Sequence, residues 1–179
     1  MRALVVVDMQ NDFIDGALGT SEALDIVDKV RKKINEYRDS DDMVVFTRDT
    51  HGEDYLETQE GKRLPIPHCI KNTEGWEIIP ALDTGDSVVI DKPSFGSEEL
   101  VGILKDTDKK AALESIELIG VCTDICVISN AILIKSGLPE IRVMVDPSCC
   151  AGVTPQSHET ALKAMEMCQI DINTNERQV

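Results

Sequence analysis

The chain has 179 residues, 42% of them hydrophobic and 28% charged, with a formal net charge of −15 at pH 7. That length favours one domain able to bury about 70% of its unfolded surface, and the composition excludes disordered and fibrous classes. The acidity argues against nucleic acid or an anionic membrane surface as partner, and no apolar run reaches the roughly 20 residues of a membrane span.

In chain order, the first predicted strand is Ala3–Val7, ending at Asp8. Its apolar stretch is too short for a signal peptide and runs into a carboxylate, so a cytoplasmic protein is expected. A helix is predicted over Ser21–Arg38, where Val27, Val30, Ile34 and Tyr37 fall at helical spacing. Strands follow at Met43–Thr47 and Ser87–Ile90, separated by an unusually long connection over residues 48–80; connections of that length are usually functional. Ser97 reads as the cap of a helix to Lys105, opened by two acids. A fourth strand, Ser115–Gly120, leads into a helix over Asp124–Ser136 that stops at Gly137. A fifth strand, Ile141–Val145, is followed by a helix from Thr154-Pro155 to about Cys168 and a weak sixth strand, Gln169–Ile172. The strands are continuous Val/Ile runs rather than alternating ones, the pattern of a parallel sheet covered on both faces. The expected fold is one α/β domain over residues 1–179, with about six parallel strands and helices on both sides.

In such a sheet ligands bind beyond the carboxyl ends of the strands, and the reactive side chains gather there. Asp8 closes strand one, Asp49 and His51 follow strand two, Lys92 follows strand three, and Cys122 and Cys126 follow strand four. Singly each has an ordinary reading: a turn carboxylate, a solvated lysine, a small buried thiol. Four on one edge point to chemistry. The six cysteines (69, 122, 126, 149, 150 and 168) contain no Cys-x-x-Cys pair, which leaves single-cysteine chemistry or burial. Cys126 sits near a predicted helix start, where dipole and amides favour thiolate. A carboxylate base, an ammonium and the backbone amides of the 120–126 turn would complete a nucleophilic site. By residue type alone, Cys122 competes for that role.

Asp49 and His51, two apart in an extended segment, can point the same way; with His68 they read either as a mixed carboxylate–imidazole set suited to one divalent ion such as zinc, iron or manganese, or as histidines that happen to lie in a polar loop. Glu53, Asp54, Glu57 and Glu60 offer further carboxylates or a solvated acidic face. His158, beside Glu159, reads as structural or surface.

Three segments carry a resemblance. Val6-Val7-Asp8-Met9-Gln10-Asn11-Asp12-Phe13 resembles the first-strand motif of the isochorismatase-like cysteine hydrolases. Asp91-Lys92-Pro93-Ser94-Phe95-Gly96-Ser97 is similar to their lysine segment, and Gly120-Val121-Cys122-Thr123-Asp124-Ile125-Cys126 to their nucleophile turn. Cys126 points to the amidase branch, and Asp49-Thr50-His51 with Pro67-His68-Cys69 resembles the nicotinamidase metal site, with Glu60 at the place of a further ligand. The resemblance implies Asp8 as general base, Lys92 as its partner, Cys126 as nucleophile and the Cys122 and Cys126 amides as oxyanion hole. It also implies a cis peptide between Val121 and Cys122, and Phe13 lining the ring pocket. One departure stands out: Pro65 occupies the place of a ring-stacking aromatic, for which Trp76 or Phe95 are the substitutes at hand. The implied reaction is metal-dependent hydrolysis of nicotinamide to nicotinate and ammonia through a cysteine thioester. Another small amide or ureido compound is the alternative substrate, and a receiver-like phosphoacceptor module the remote alternative by fold. The expected partner is a small amide, and a homo-oligomer is the base-rate expectation for a soluble enzyme.

Overall fold

The computed structural model describes residues 1–173; the last six residues of the domain expected over 1–179 lie outside the described residues. In chain order the elements are β1 (Arg2–Val7), α1 (Asn11–Ile14), α2 (Ser21–Asp39), β2 (Met43–Asp49), α3 (Gln59–Arg63), β3 (Val88–Lys92), α4 (Glu98–Ala111), β4 (Ser115–Val121), α5 (Ile128–Gly137), β5 (Arg142–Ala151), α6 (Pro155–Met167) and β6 (Asp171–Ile172). Among the described residues the six strands form one sheet in the order β3-β2-β1-β4-β5-β6, every pair parallel. That order differs from the 2-1-3-4-5 order of receiver-type domains, which removes the fold argument for a phosphoacceptor module. No helix is long and apolar enough to cross a membrane among the described residues.

Burial follows from the strand sequences. Ala3 to Val7 and Ser115 to Val121 are buried along their whole length because helices cover both faces. In α2, Ala23, Ile26, Val30, Ile34 and Tyr37 face the core, while Val27 is only partly buried. Thr20 caps α2 by accepting from the Ala23 amide at 3.1 Å, Ser97 caps α4 through Leu100 at 3.1 Å, and Thr154 and Ser157 form a capping box at α6.

Four features depart from the sequence expectation. α4 runs on past Lys105 to Ala111, because Asp106, Thr107 and Asp108 lie on its polar side and an Asp106–Lys109 pair at 2.9 Å spans one turn. β5 continues past the expected end at Val145 to Ala151, because an irregularity in its register against β4, after Leu118, absorbs the extra residues. The helix after β4 opens as a π-turn over Thr123–Val127 before α5 begins. The long connection starts only after Asp49, since Arg48 and Asp49 pair with β3, and it contains α3 and two 3₁₀ turns. Isolated bridges, Gln10 with Ile78 and His51 with Ile70, fasten it to the sheet edge.

β1 and β4 are neighbours in the sheet, yet their outgoing connections lead to opposite sides, so the crevice beyond their carboxyl ends is where this class of sheet binds ligands. Gly120 allows the two strands to close up at that point. Its φ is +114°, and a Cβ there would run into the Val7 carbonyl.

Candidate active site

Sheet register brings the reactive groups together. Asp49 and Lys92 are direct partners across β2 and β3, and Val7, the residue before Asp8, pairs with both Thr47 and Gly120. Asp8 leaves β1 with φ +50°, a left-handed conformation uncommon for a non-glycine residue and one that recurs at functional sites.

Asp8 and Lys92 are both fully buried, with Lys92 Nζ 2.7 Å from Asp8 Oδ2. Thr47 Oγ1 donates to Asp8 Oδ1 at 2.7 Å. The same ammonium reaches Asp49 Oδ1 at 3.2 Å, the Ser94 carbonyl at 3.2 Å and Cys126 Sγ at 3.4 Å. Burial pushes the Asp8 carboxyl up, with Asp49 adding to the rise, against the pull of Lys92 and Thr47. For Lys92 burial favours the neutral amine, but Asp8, Cys126 and Asp49 outweigh it and hold the ammonium charged. Burial raises the Cys126 thiol well above its ordinary value; the Asp8 charge adds to this and Lys92 opposes it. The helix start expected near Cys126 is a π-turn over Thr123–Val127. Cys126 is buried on that π-turn, beside Lys92 and at the wall of a cavity. Cys122 is less enclosed and lines the same cavity, yet burial and Asp124 push its thiol up to about 12, without the ammonium contact that Cys126 has. The Val121–Cys122 peptide is cis.

The second cluster adjoins the first. Ligand-type atoms of Asp49, His51, Glu60 and His68 all lie within 4.8 Å of one another. Asp49 Oδ2 is 2.9 Å from His51 Nε2 and 3.7 Å from His68 Nε2, and Glu60 Oε1 is 3.8 and 3.9 Å from the same two nitrogens. His68 Nδ1 lies 2.8 Å from the Ile66 carbonyl and donates to it, which leaves Nε2 as the free ligand atom. Burial would raise the Asp49 carboxyl, but the hydrogen bond with His51, the nearby His68 and the charge of Lys92 outweigh it and hold Asp49 ionised. Two imidazoles and two carboxylates, all buried but the partly exposed Glu60, converge in a set that suits a first-row divalent ion. α3 delivers Glu60: Thr58 caps it by accepting from the Gly61 amide at 3.0 Å, and Tyr55 packs against both histidine rings. Glu53, Asp54 and Glu57 stay exposed and outside the cluster.

Members of both clusters line one cavity of about 300 Å³, whose polar lining residues are Thr20, Asp49, Glu60, His68, Cys122 and Cys126 and whose apolar ones are Phe13, Leu18, Leu64, Phe95, Ile125 and Val153. Of the two expected substitutes for an aromatic at position 65, Phe95 lines this cavity and Trp76 does not. Trp76 is turned away beneath Arg48, whose guanidinium lies 3.5 Å from the ring centroid, and its Nε1 donates to Thr50 at 2.8 Å. Pro65 is exposed, and its neighbour Leu64 supplies the wall.

Several supporting residues escaped the sequence reading. Gln10 is fully buried; it accepts from the Asp49 amide at 2.7 Å and donates to the Asp49 and Trp76 carbonyls at 2.8 Å each, which fixes the backbone of the shared carboxylate. Asp12 accepts from the Cys69 amide at 2.7 Å, holding the segment that carries His68. Thr47 gave a usable signal, a hydroxyl within an otherwise apolar buried strand. His158 is half-buried and shares a 2.8 Å hydrogen bond with Thr123, a structural role at the nucleophile turn.

Known proteins resemble the chain in sequence and in fold. The chain is 28% identical to a nicotinamidase/pyrazinamidase of Mycobacterium tuberculosis, over 96% of this chain and 98% of the relative. Its fold superimposes on the zinc complex of a Pyrococcus horikoshii pyrazinamidase with a TM-score of 0.82 and 30% identity, covering 97% of this chain and 98% of the other. It also matches an N-carbamoylsarcosine amidase of Thermoplasma acidophilum with a TM-score of 0.77, 27% identity and full coverage of both chains. Since the Isochorismatase domain matches residues 2–176, nearly the whole length, the chain belongs to the isochorismatase domain family.

Proposed function

We propose that the chain is a metal-dependent nicotinamidase, hydrolysing the carbon–nitrogen bond of a linear amide through a Cys126 thioester, in a single cytoplasmic domain over residues 1–179. The observation that carries this reading is one small cavity lined both by Cys126, which contacts the buried Lys92–Asp8 pair behind it, and by Asp49, Glu60 and His68 of the cluster that also includes His51. A cavity of about 300 Å³ is at the small end of ligand sites, which run to about 1,000 Å³, and fits a one-ring amide.

The residues divide the chemistry as follows. Asp8 takes the thiol proton as Cys126 Sγ bonds to the amide carbon and the carbonyl pair moves to oxygen, where the Cys122 and Cys126 amides hold the oxyanion. The oxyanion collapses, the carbon–nitrogen bond breaks, and Asp8 gives its proton to the departing ammonia. Water then attacks the thioester with its proton passing to Asp8; the carbon–sulfur bond breaks and the proton returns to sulfur. Lys92 keeps its charge throughout and holds Asp8 and the sulfur in reach of each other. Asp49, His51, His68 and Glu60 would hold one divalent ion, zinc, iron or manganese, which when bound supplies a Lewis-acidic point that orients a ring nitrogen of the substrate. Phe13 and Phe95 flank the ring.

A second reading, a small aliphatic amide or ureido substrate, is favoured by the aliphatic wall of Leu18, Leu64 and Val153. Ammonia release from nicotinamide, pyrazinamide, aliphatic amides and a carbamoyl amino acid, with and without bound metal, separates the two. Preference for the pyridine amides with loss on metal removal supports the first. Turnover confined to ureido or aliphatic substrates replaces it with the second.

A further inference from the structure

The nucleophile turn and the lysine segment are joined at one point away from the reacting atoms. Asn130, in the first turns of α5, is fully buried. Its Nδ2 donates to the Cys126 carbonyl at 2.8 Å and to the Phe95 carbonyl at 3.1 Å, and its Oδ1 accepts from the Ser97 amide at 3.0 Å. Both N–H groups of the amide are used, so the side chain has one orientation only. An asparagine inside a helix is otherwise a poor choice, since it costs helix propensity and must be desolvated. Resting on the reading of Cys126 as nucleophile, we propose that Asn130 is a positioning residue that sets the separation of Lys92 from Cys126.

The connection is short at every step. Lys92 Nζ donates to the Ser94 carbonyl, and the chain from Ser94 to Ser97 is held by Asn130 at Phe95 and Ser97. Ser97 in turn caps α4, so this loop is anchored to a rigid helix at its far end. On the other side Asn130 grips the carbonyl of Cys126 itself. The 3.4 Å contact between Lys92 and the sulfur therefore spans two segments that one amide ties together. Phe95, at the cavity rim, is held by the same tie.

The test compares Asn130→Ser and Asn130→Ala with the wild type. Serine can still reach the Cys126 carbonyl one turn back, but it cannot also bridge to Phe95 and Ser97. Displacements on the order of 1 Å at a reacting centre can cost about 100-fold in rate. The expected result is therefore a fall in kcat of about that size in both variants with KM little changed, normalised to the folded fraction by circular dichroism. The rate at which iodoacetamide modifies Cys126 should fall with it, as the ammonium no longer holds its place by the sulfur. A lower melting temperature with wild-type kcat and wild-type Cys126 modification in the folded fraction would overturn the proposal and leave Asn130 as a structural residue only. The alkylation arm needs no substrate, so it decides the role of Asn130 even where nicotinamide proves not to be the amide hydrolysed.

Discussion

Replacing Asp8 with asparagine changes one atom and separates proton transfer from thiol acidity. Asp8→Asn keeps the shape and leaves Thr47 an oxygen to donate to, but removes the base and the nearest counter-ion of Lys92, now 2.7 Å away. Loss of general acid–base work alone costs about 10²–10⁴-fold in rate, and here one group serves in both half-reactions, which places the effect at the upper end. Breaking a buried pair by removing one partner costs about 3–5 kcal/mol. Asp49 remains 3.2 Å from the ammonium, so the lower end, about 3 kcal/mol, applies. The thiol responds in the opposite sense. Burial and then the Asp8 charge hold the Cys126 proton on, and Lys92 draws it off. Removing the Asp8 charge leaves burial opposed by the ammonium, so the thiol becomes more acidic. Iodoacetamide should modify Cys126 of Asp8→Asn at lower pH than in the wild type while ammonia release collapses, with urea midpoints recording the stability loss. A variant within tenfold of wild-type turnover, or one whose Cys126 titrates at higher pH, would refute this assignment of base and charges.

Cys126→Ala should abolish ammonia release, whereas Cys122→Ala, Cys149→Ala and Cys168→Ala should keep most of it; initial rates on purified folded protein decide this. His68→Ala, or a chelator, should remove bound metal and cripple hydrolysis, as read by metal analysis beside ammonia release, since even groups behind the ligands change affinity about 10–100-fold. Burial lowers the His68 pKa, but its bonds to Asp49 and Ile66 and the charge of Glu60 outweigh it and raise the net value. Metal binding needs the neutral ring, so affinity should fall as pH drops through that raised value, as titration calorimetry across the acidic range can check. Asp49→Asn should damage both clusters at once, weakening metal binding and altering the Cys126 alkylation rate, because Asp49 touches His51 with one oxygen and Lys92 with the other.

The parallel sheet was legible because both-face burial writes itself as continuous Val/Ile strands, and the edge carrying Asp8, Asp49, Lys92 and Cys126 followed from that alone. What chain spacing could not show is that Asp49 is shared. The Asp49–Lys92 register across β2 and β3 puts one carboxylate in both clusters, so nucleophile and metal ligands are not independent halves. By residue type Glu60 is one of four nearby acids and only the resemblance singles it out; in the structure the Thr58 cap fixes α3, which brings it to the cluster. A helix start in the sequence says nothing about enclosure, and in the structure burial raises the Cys126 thiol against the pull of the ammonium. Nor does the sequence show that Arg48 covers Trp76, which leaves Phe95 as the aromatic of the two at the cavity. Gln10, Asp12 and Asn130 work through hydrogen bonds between distant segments, which leave no periodic trace in a single sequence.

The thioester route is tested most directly by quenching a reaction with nicotinamide in acid within the first turnovers and weighing the Cys126 peptide. A nicotinoyl adduct on Cys126, formed with the first equivalent of ammonia and absent from Cys126→Ala, is the predicted result. Ammonia released at the full rate with Cys126 unmodified throughout, in protein that alkylation shows to have an accessible Cys126 thiol, would contradict it.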